Sequence, residues 1–82
     1  MKPNIKFFYN EGCDKCNELK PIINEFKTSI NIEMVNANDN DVLLENYNIE
    51  WVPSLVIEDQ NGKHLFEGVK EIKKVLHEIV SP

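Results

Sequence analysis

The sequence predicts an α/β domain with the element order β-α-β-α-β-β-α, a four-stranded mixed sheet flanked by three helices. Three observations carry this. Short apolar or strictly alternating runs recur at residues 5–10, 31–35, 54–58 and 63–67. Stretches with apolar residues at three- and four-residue steps lie between or after them. Asn61-Gly62, between the last two runs, is a hairpin signal.

The first run contains Phe7-Phe8-Tyr9 with no polar alternation. Such a strand is buried on both faces and belongs at the centre of a sheet. Asn10-Glu11-Gly12 breaks it. From Cys16 onward, Leu19, Ile22 or Ile23 and Phe26 form a helical stripe that should end near Thr28-Ser29. Pro21 lies inside that stripe and lacks an amide donor, so a kink is expected.

Ile30, Ile32 and Met34 alternate with Asn31 and Glu33, which gives the second strand. A helical crossover makes it parallel to the first. Residues 36–40 read as a loop. Asp39 or Asn40 is placed to cap a short helix running from Val42 to Tyr47. The third and fourth strands form an antiparallel hairpin, closed by Gly68. The last helix aligns Val69, Ile72, Val75, Leu76, Ile79 and Val80 on one face.

Eighty-two residues make room for one domain, taken as 1–82. Fourteen acids against nine lysines and no arginine give a net charge of −5. Nucleic-acid binding needs concentrated positive charge, and docking on an anionic membrane needs the same. Neither partner is expected. No run approaches the ~18 apolar residues of a membrane span, and no signal-peptide pattern is visible, so the expected location is the cytoplasm. The acidic Glu67, Glu71 and Glu78 read as solvated faces.

Cys13 and Cys16 are the two cysteines. In a reducing cytosol, C-x-x-C is redox-active or half of a metal site. Thiol–disulfide exchange needs a thiolate, and a helix N-terminus offers free amides and partial positive charge to stabilise one. Cys13 lies where the first strand hands over to the helix, so it is the expected attacking thiol. Cys16, one turn on and more buried, is the expected resolving thiol. Lys15 adds a positive charge that Asp14 partly offsets. The Cys13 pKa should therefore lie below the reference of about 8.5.

Structural zinc needs two further ligands, and His64 and His77 have no ligand spacing between them. A copper carrier would want βαββαβ order and a Met-x-Cys-x-x-Cys loop, and Glu11 occupies that methionine position. No metal is expected. The deciding residue is Pro53. Val52-Pro53 directly precedes a strand, where proline lacks the ladder donor. It reads either as a loop proline or as a cis proline beside the cysteines. The second reading leaves the Val52 backbone free to pair with an extended peptide.

The sequence resembles a thioredoxin from Lys6 to Val80. The resemblance rests on Phe7-Phe8-Tyr9, Cys13-Asp14-Lys15-Cys16, Pro21 five residues after the second cysteine, the stretch from Tyr47 through Trp51-Val52-Pro53 to Leu55, and Asn61-Gly62. It implies a thioredoxin fold and disulfide reductase activity carried by Cys13 and Cys16, a redox-active disulfide with no other cofactor. Val52 and Pro53 would dock the substrate, with Trp51, Gly12 and Gly68 around the groove. Asp14, Lys15, Glu11 and Tyr9 would modulate the pair. Partners would be disulfide-containing client proteins and a reductant, either a thioredoxin-reductase-like protein or glutathione. The protein itself would be a monomer.

The departures matter. Gly12 stands where thioredoxins carry tryptophan, and Asp14-Lys15 replaces Gly-Pro. Phe7 and Met34 stand where the family has a buried carboxylate and a lysine that handle protons for the resolving cysteine. Proton transfer then falls to water or another group, with Glu11 a candidate. The N-terminal strand and helix of full-length thioredoxins are missing. Glutaredoxins are the nearest competitors. They carry a lysine at the place of Asn10, use Cys-Pro-Tyr-Cys, and have a Gly-Gly pair where this chain has Gly68-Val69-Lys70-Glu71. A protein-fed enzyme is therefore preferred to a glutathione-fed one. A redox-sensing or binding module without turnover is the other alternative.

Overall fold

The structure is a computed structural model and describes residues 3–80. Four strands, β1 (Asn4–Tyr9), β2 (Ile32–Asn36), β3 (Ser54–Asp59) and β4 (Gly62–Glu67), form one sheet in the order β2-β1-β3-β4. The helices are α1 (Asp14–Phe26), α2 (Asp41–Asn46) and α3 (Val69–Val80). This is the expected element order.

β1 runs parallel to β2 and antiparallel to β3, and β4 pairs antiparallel with β3. The central place of β1 follows from its composition. Phe7 and Phe8 point to opposite faces and both are fully buried. On one face, Ile5, Phe7, Leu55 and Ile57 meet Leu19 and Ile23 of α1 and Ile72, Val75 and Leu76 of α3. On the other, Phe8, Val35 and Val56 meet Leu43, Leu44 and Tyr47 of α2 and its C-cap. Burying each large side chain contributes about 1.5–3 kcal/mol. These two layers are what anchor the helices to the sheet.

Several local expectations are corrected. The helix α1 ends at Phe26 rather than at Thr28-Ser29, although the next turn stays hydrogen-bonded, with Ile30 N–H donating to Phe26 O at 2.9 Å. Pro21 lies inside α1, as its place in the helical stripe implied, and is exposed. Residues Ala37–Asp39, read as loop, form a 3-10 turn. Asn40 takes the N-cap position of α2, but its side chain does not cap the helix; its Nδ2 donates to Asn36 O at 2.8 Å. The carboxamide is held by the Asn36 carbonyl through its Nδ2, and its oxygen accepts no helix amide. The hairpin loop is Gln60-Asn61, with Asp59 paired to Gly62. Gly62 opens β4 at φ +121°, a conformation open to glycine.

Candidate functional site

Cys13 lies between β1 and α1 and serves as the helix N-cap. Its backbone is extended (φ −95°, ψ 111°), its carbonyl accepts the Asn17 N–H at 3.0 Å, and its Sγ accepts the Cys16 N–H at 3.1 Å. A sulfur in this position receives one of the amides that a helix start leaves without an intrahelical partner. Cys13 is half-buried and Cys16 fully buried. Their Cα atoms are 5.2 Å apart and the two sulfurs form a disulfide. The Cys13 N–H donates to Asn10 O at 3.3 Å, which ties the end of β1 to the start of α1.

The chain returns to this pole from far away in sequence. The Val52 carbonyl oxygen lies 4.0 Å from Cys13 Sγ, across 39 residues. The Val52-Pro53 peptide bond is cis. Pro53 is buried, and its carbonyl accepts the Gly68 N–H at 3.1 Å. Gly68 takes φ +88°, which a side chain would resist. The fully buried Ser54 donates its hydroxyl to Trp51 O. Together these bonds hold Trp51–Pro53 as a fixed ridge beside the half-buried sulfur.

The expected site residues divide into three groups. Cys13, Val52 and Pro53 meet at one place, with Cys16 beneath. Trp51 and Gly12 lie on the surface there; Trp51 is 68% exposed and is not a packing residue under α2. Gly68 acts through its bond to Pro53. Asp14 and Lys15 are exposed on the first turn of α1. Glu11 is exposed, and its interaction is through its carbonyl, which accepts from Asn17 Nδ2 at 3.4 Å. Tyr9 is half-buried, stacks on Phe7 at 6.1 Å between ring centroids, and carries Lys20 Nζ 4.5 Å above its ring.

Sequence reasoning missed two residues here. Ser54 was visible as the polar residue opening an otherwise apolar strand. Asn10 has a buried side-chain oxygen with no hydrogen-bond partner. Its local signal was weak, because asparagine at a strand end is ordinary.

His64 Nε2 lies 3.6 Å from Asp59 Oδ1, and His77 sits edge-on to Phe26. Among the described residues, no three His, Cys, Asp or Glu side chains are grouped to hold a metal ion. No helix among them is long and apolar enough to cross a membrane.

Fold and site define a thioredoxin-fold domain with a vicinal cysteine pair at a helix N-terminus. The chain belongs to the thioredoxin domain family, whose sequence profile matches residues 3–80. It is similar to a "Thiol:disulfide interchange protein TxlA homolog" of Synechocystis, at 29% identity over 76 residues, covering 85% of this chain and 42% of that protein. The chain thus spans less than half the length of that curated relative. Thioredoxin 1 of Thermosipho africanus superposes with a TM-score of 0.78 at 24% identity, covering 93% of this chain and 89% of that one. Fasciola hepatica thioredoxin gives 0.81 at 13% identity, covering 94% and 80%. At these identities the structural likeness speaks for the fold.

Proposed function

We propose that the protein is a thiol–disulfide oxidoreductase that reduces disulfides of client proteins. The observation that carries this reading is the placement of Cys13 Sγ on the Cys16 amide at the head of α1, beside the Val52 carbonyl. The helix start favours a thiolate on Cys13. That thiolate attacks one sulfur of the client disulfide and the other sulfur leaves as a thiolate. A mixed disulfide joins Cys13 to the client. The Cys16 thiolate then attacks Cys13 Sγ and expels the second client sulfur. The client gains two electrons and two protons, and Cys13 and Cys16 end as the disulfide. The ridge at the half-buried Val52 offers main-chain groups to an extended client segment.

A thioredoxin-reductase-like protein returns the electrons. Two features support this over glutathione: Asn10 stands where a glutathione site has a lysine, and Gly68-Val69-Lys70-Glu71 has one glycine and a lysine in place of a glycine pair followed by acidic residues. The reaction suits a reducing cytoplasm and a monomeric protein, and it uses no cofactor beyond the cysteine pair.

The test is multiple-turnover reduction of insulin, driven either by NADPH with thioredoxin reductase or by glutathione. Turnover with the first and little with the second is expected. Turnover with glutathione alone would assign the glutaredoxin-like role. A disulfide equilibrium with no turnover in either would mark a sensing module instead. In parallel, Cys16→Ser should accumulate the mixed disulfide on Cys13, and accumulation on Cys16 of Cys13→Ser would reverse the roles.

A further inference from the structure

A small cavity of about 140 Å³ opens beside Val52, lined by Asn10, Ala37, Leu44, Ile49, Glu50, Trp51 and Val52. Its chemistry is uneven. Ala37 is buried and Leu44 and Ile49 are half-buried, which gives it an apolar floor. Its other walls are a carboxylate, an indole and a carboxamide. Glu50 is exposed and has no ion-pair partner among the described residues. The Trp51 ring, 68% exposed, offers a π face to a cation. Asn10 Oδ1 is a buried acceptor without a donor among the described residues, an arrangement that is unfavourable until a donor arrives.

The surroundings favour the same sign. The C-terminal ends of β1 and β2 and the start of β3 lie at one pole of the sheet. On that side the connections and the adjoining helix starts carry Glu11, Asp14, Asp39, Asp41 and Glu50 against Lys15, and Glu67 and Glu71 against Lys70 where β4 leads into α3. A long side chain with an aliphatic stem and a cationic end matches the apolar floor and this rim.

We propose that this cavity is a client subsite that receives a lysine or arginine side chain close to the reacting cysteine of the client. The stem lies over Ala37, Leu44 and Ile49, and the charged end meets Glu50, Trp51 and a re-oriented Asn10 carboxamide. The inference rests on the disulfide-exchange reading above and adds to it which client segments react fastest.

Three homodimeric peptide disulfides test it, identical except for lysine, norleucine or glutamate two residues from the cysteine. The rate at which each oxidises the reduced protein is divided by its rate with dithiothreitol, which removes differences in intrinsic reactivity. The lysine peptide should exceed the norleucine peptide by about two- to fivefold, and the glutamate peptide should be slowest. The spread should shrink at about 1 M salt, where the screening length falls to ~3 Å. Glu50→Gln and Asn10→Ala should each reduce the lysine preference, and Glu50→Lys should reverse the order. The norleucine rate shows in each variant that exchange persists. Equal normalised rates for the three peptides, or a lysine preference that survives in Glu50→Gln combined with Asn10→Ala, would overturn the subsite and leave the exchange activity standing. No reaction with any peptide would overturn both.

Discussion

Phe7 on β1 stands directly beside Met34 on β2 in the parallel register, and both belong to the apolar layer under α1 and α3. These are the two positions where the thioredoxin pattern has a carboxylate and a lysine. Their joint replacement keeps that layer free of an unpaired buried charge.

The pairing predicts strong coupling between the two sites. Phe7→Ala should cost about 3–5 kcal/mol in denaturant unfolding, a large share of the roughly 4–12 kcal/mol available to a chain of this size. Phe7→Asp should destabilise by a similar amount, because it buries a carboxyl without a partner. Adding Met34→Lys to Phe7→Asp should recover part of the loss, a coupling of at least about 0.5 kcal/mol in a double-mutant cycle. Strictly additive effects would show that the register neighbours do not interact.

The same apolar layer bears on the pH dependence of the reaction. With no ionisable side chain at Phe7 or Met34, the rate of reduction of a small disulfide should rise with pH through one inflection, that of Cys13, below about 8.5. Lys15→Glu adds negative charge on the first turn of α1 and should move that inflection upward. Ultraviolet titration of the thiolate in Cys16→Ser should give the same inflection. A second inflection in the rate profile would point to a further proton-handling group.

Ser54 holds the ridge beside the sulfur. Ser54→Ala removes the donor to the Trp51 carbonyl and should cost about 1–3 kcal/mol in stability. Gly68→Ala meets no atom within 4 Å, so its cost, about 1 kcal/mol, comes from the positive φ alone. Both variants should raise the KM for peptide disulfides more than they lower kcat, since they disturb the docking ridge and leave the cysteine pair in place. Unchanged KM in both would separate the ridge from client binding.

Tyr47 links the C-cap of α2 to β3 through a 2.9 Å hydrogen bond from its hydroxyl to Glu58. That hydrogen bond, and secondarily desolvation and the nearby Glu58 charge, raise the Tyr47 pKa above 10.0. A raised folded-state pKa contributes stability that is present below the unfolded value of 10.0 and is lost as pH climbs through the folded value. Tyr47→Phe should therefore lie below the wild type at neutral pH, and the two stability curves should converge in alkali. Curves that stay parallel through that range would exclude the coupling.

The element order was legible because the signals are local. Unbroken apolarity in Phe7-Phe8-Tyr9, strict alternation from Ile30 to Met34, and the three- and four-residue steps of α1 and α3 each report on a single segment's burial. Element ends were less legible. Asn40 shows why: an asparagine at an N-cap can accept a helix amide or donate to a neighbouring carbonyl, and only the folded geometry selects donation to Asn36 O.

The cysteine pair was legible for the same local reason. Cys13 and Cys16 are one helical turn apart, so spacing alone brings their sulfurs to one face. What lies against them was decided by the tertiary fold. Val52 reaches Cys13 across 39 residues because β3 pairs antiparallel with β1 and so begins where β1 ends. The exposure of Trp51 and the unpartnered oxygen of Asn10 depend on that same closure. Periodicity encodes which side of its own element a residue occupies. It carries no information about which distant residue will stand opposite, and that contact shapes the groove a client would enter.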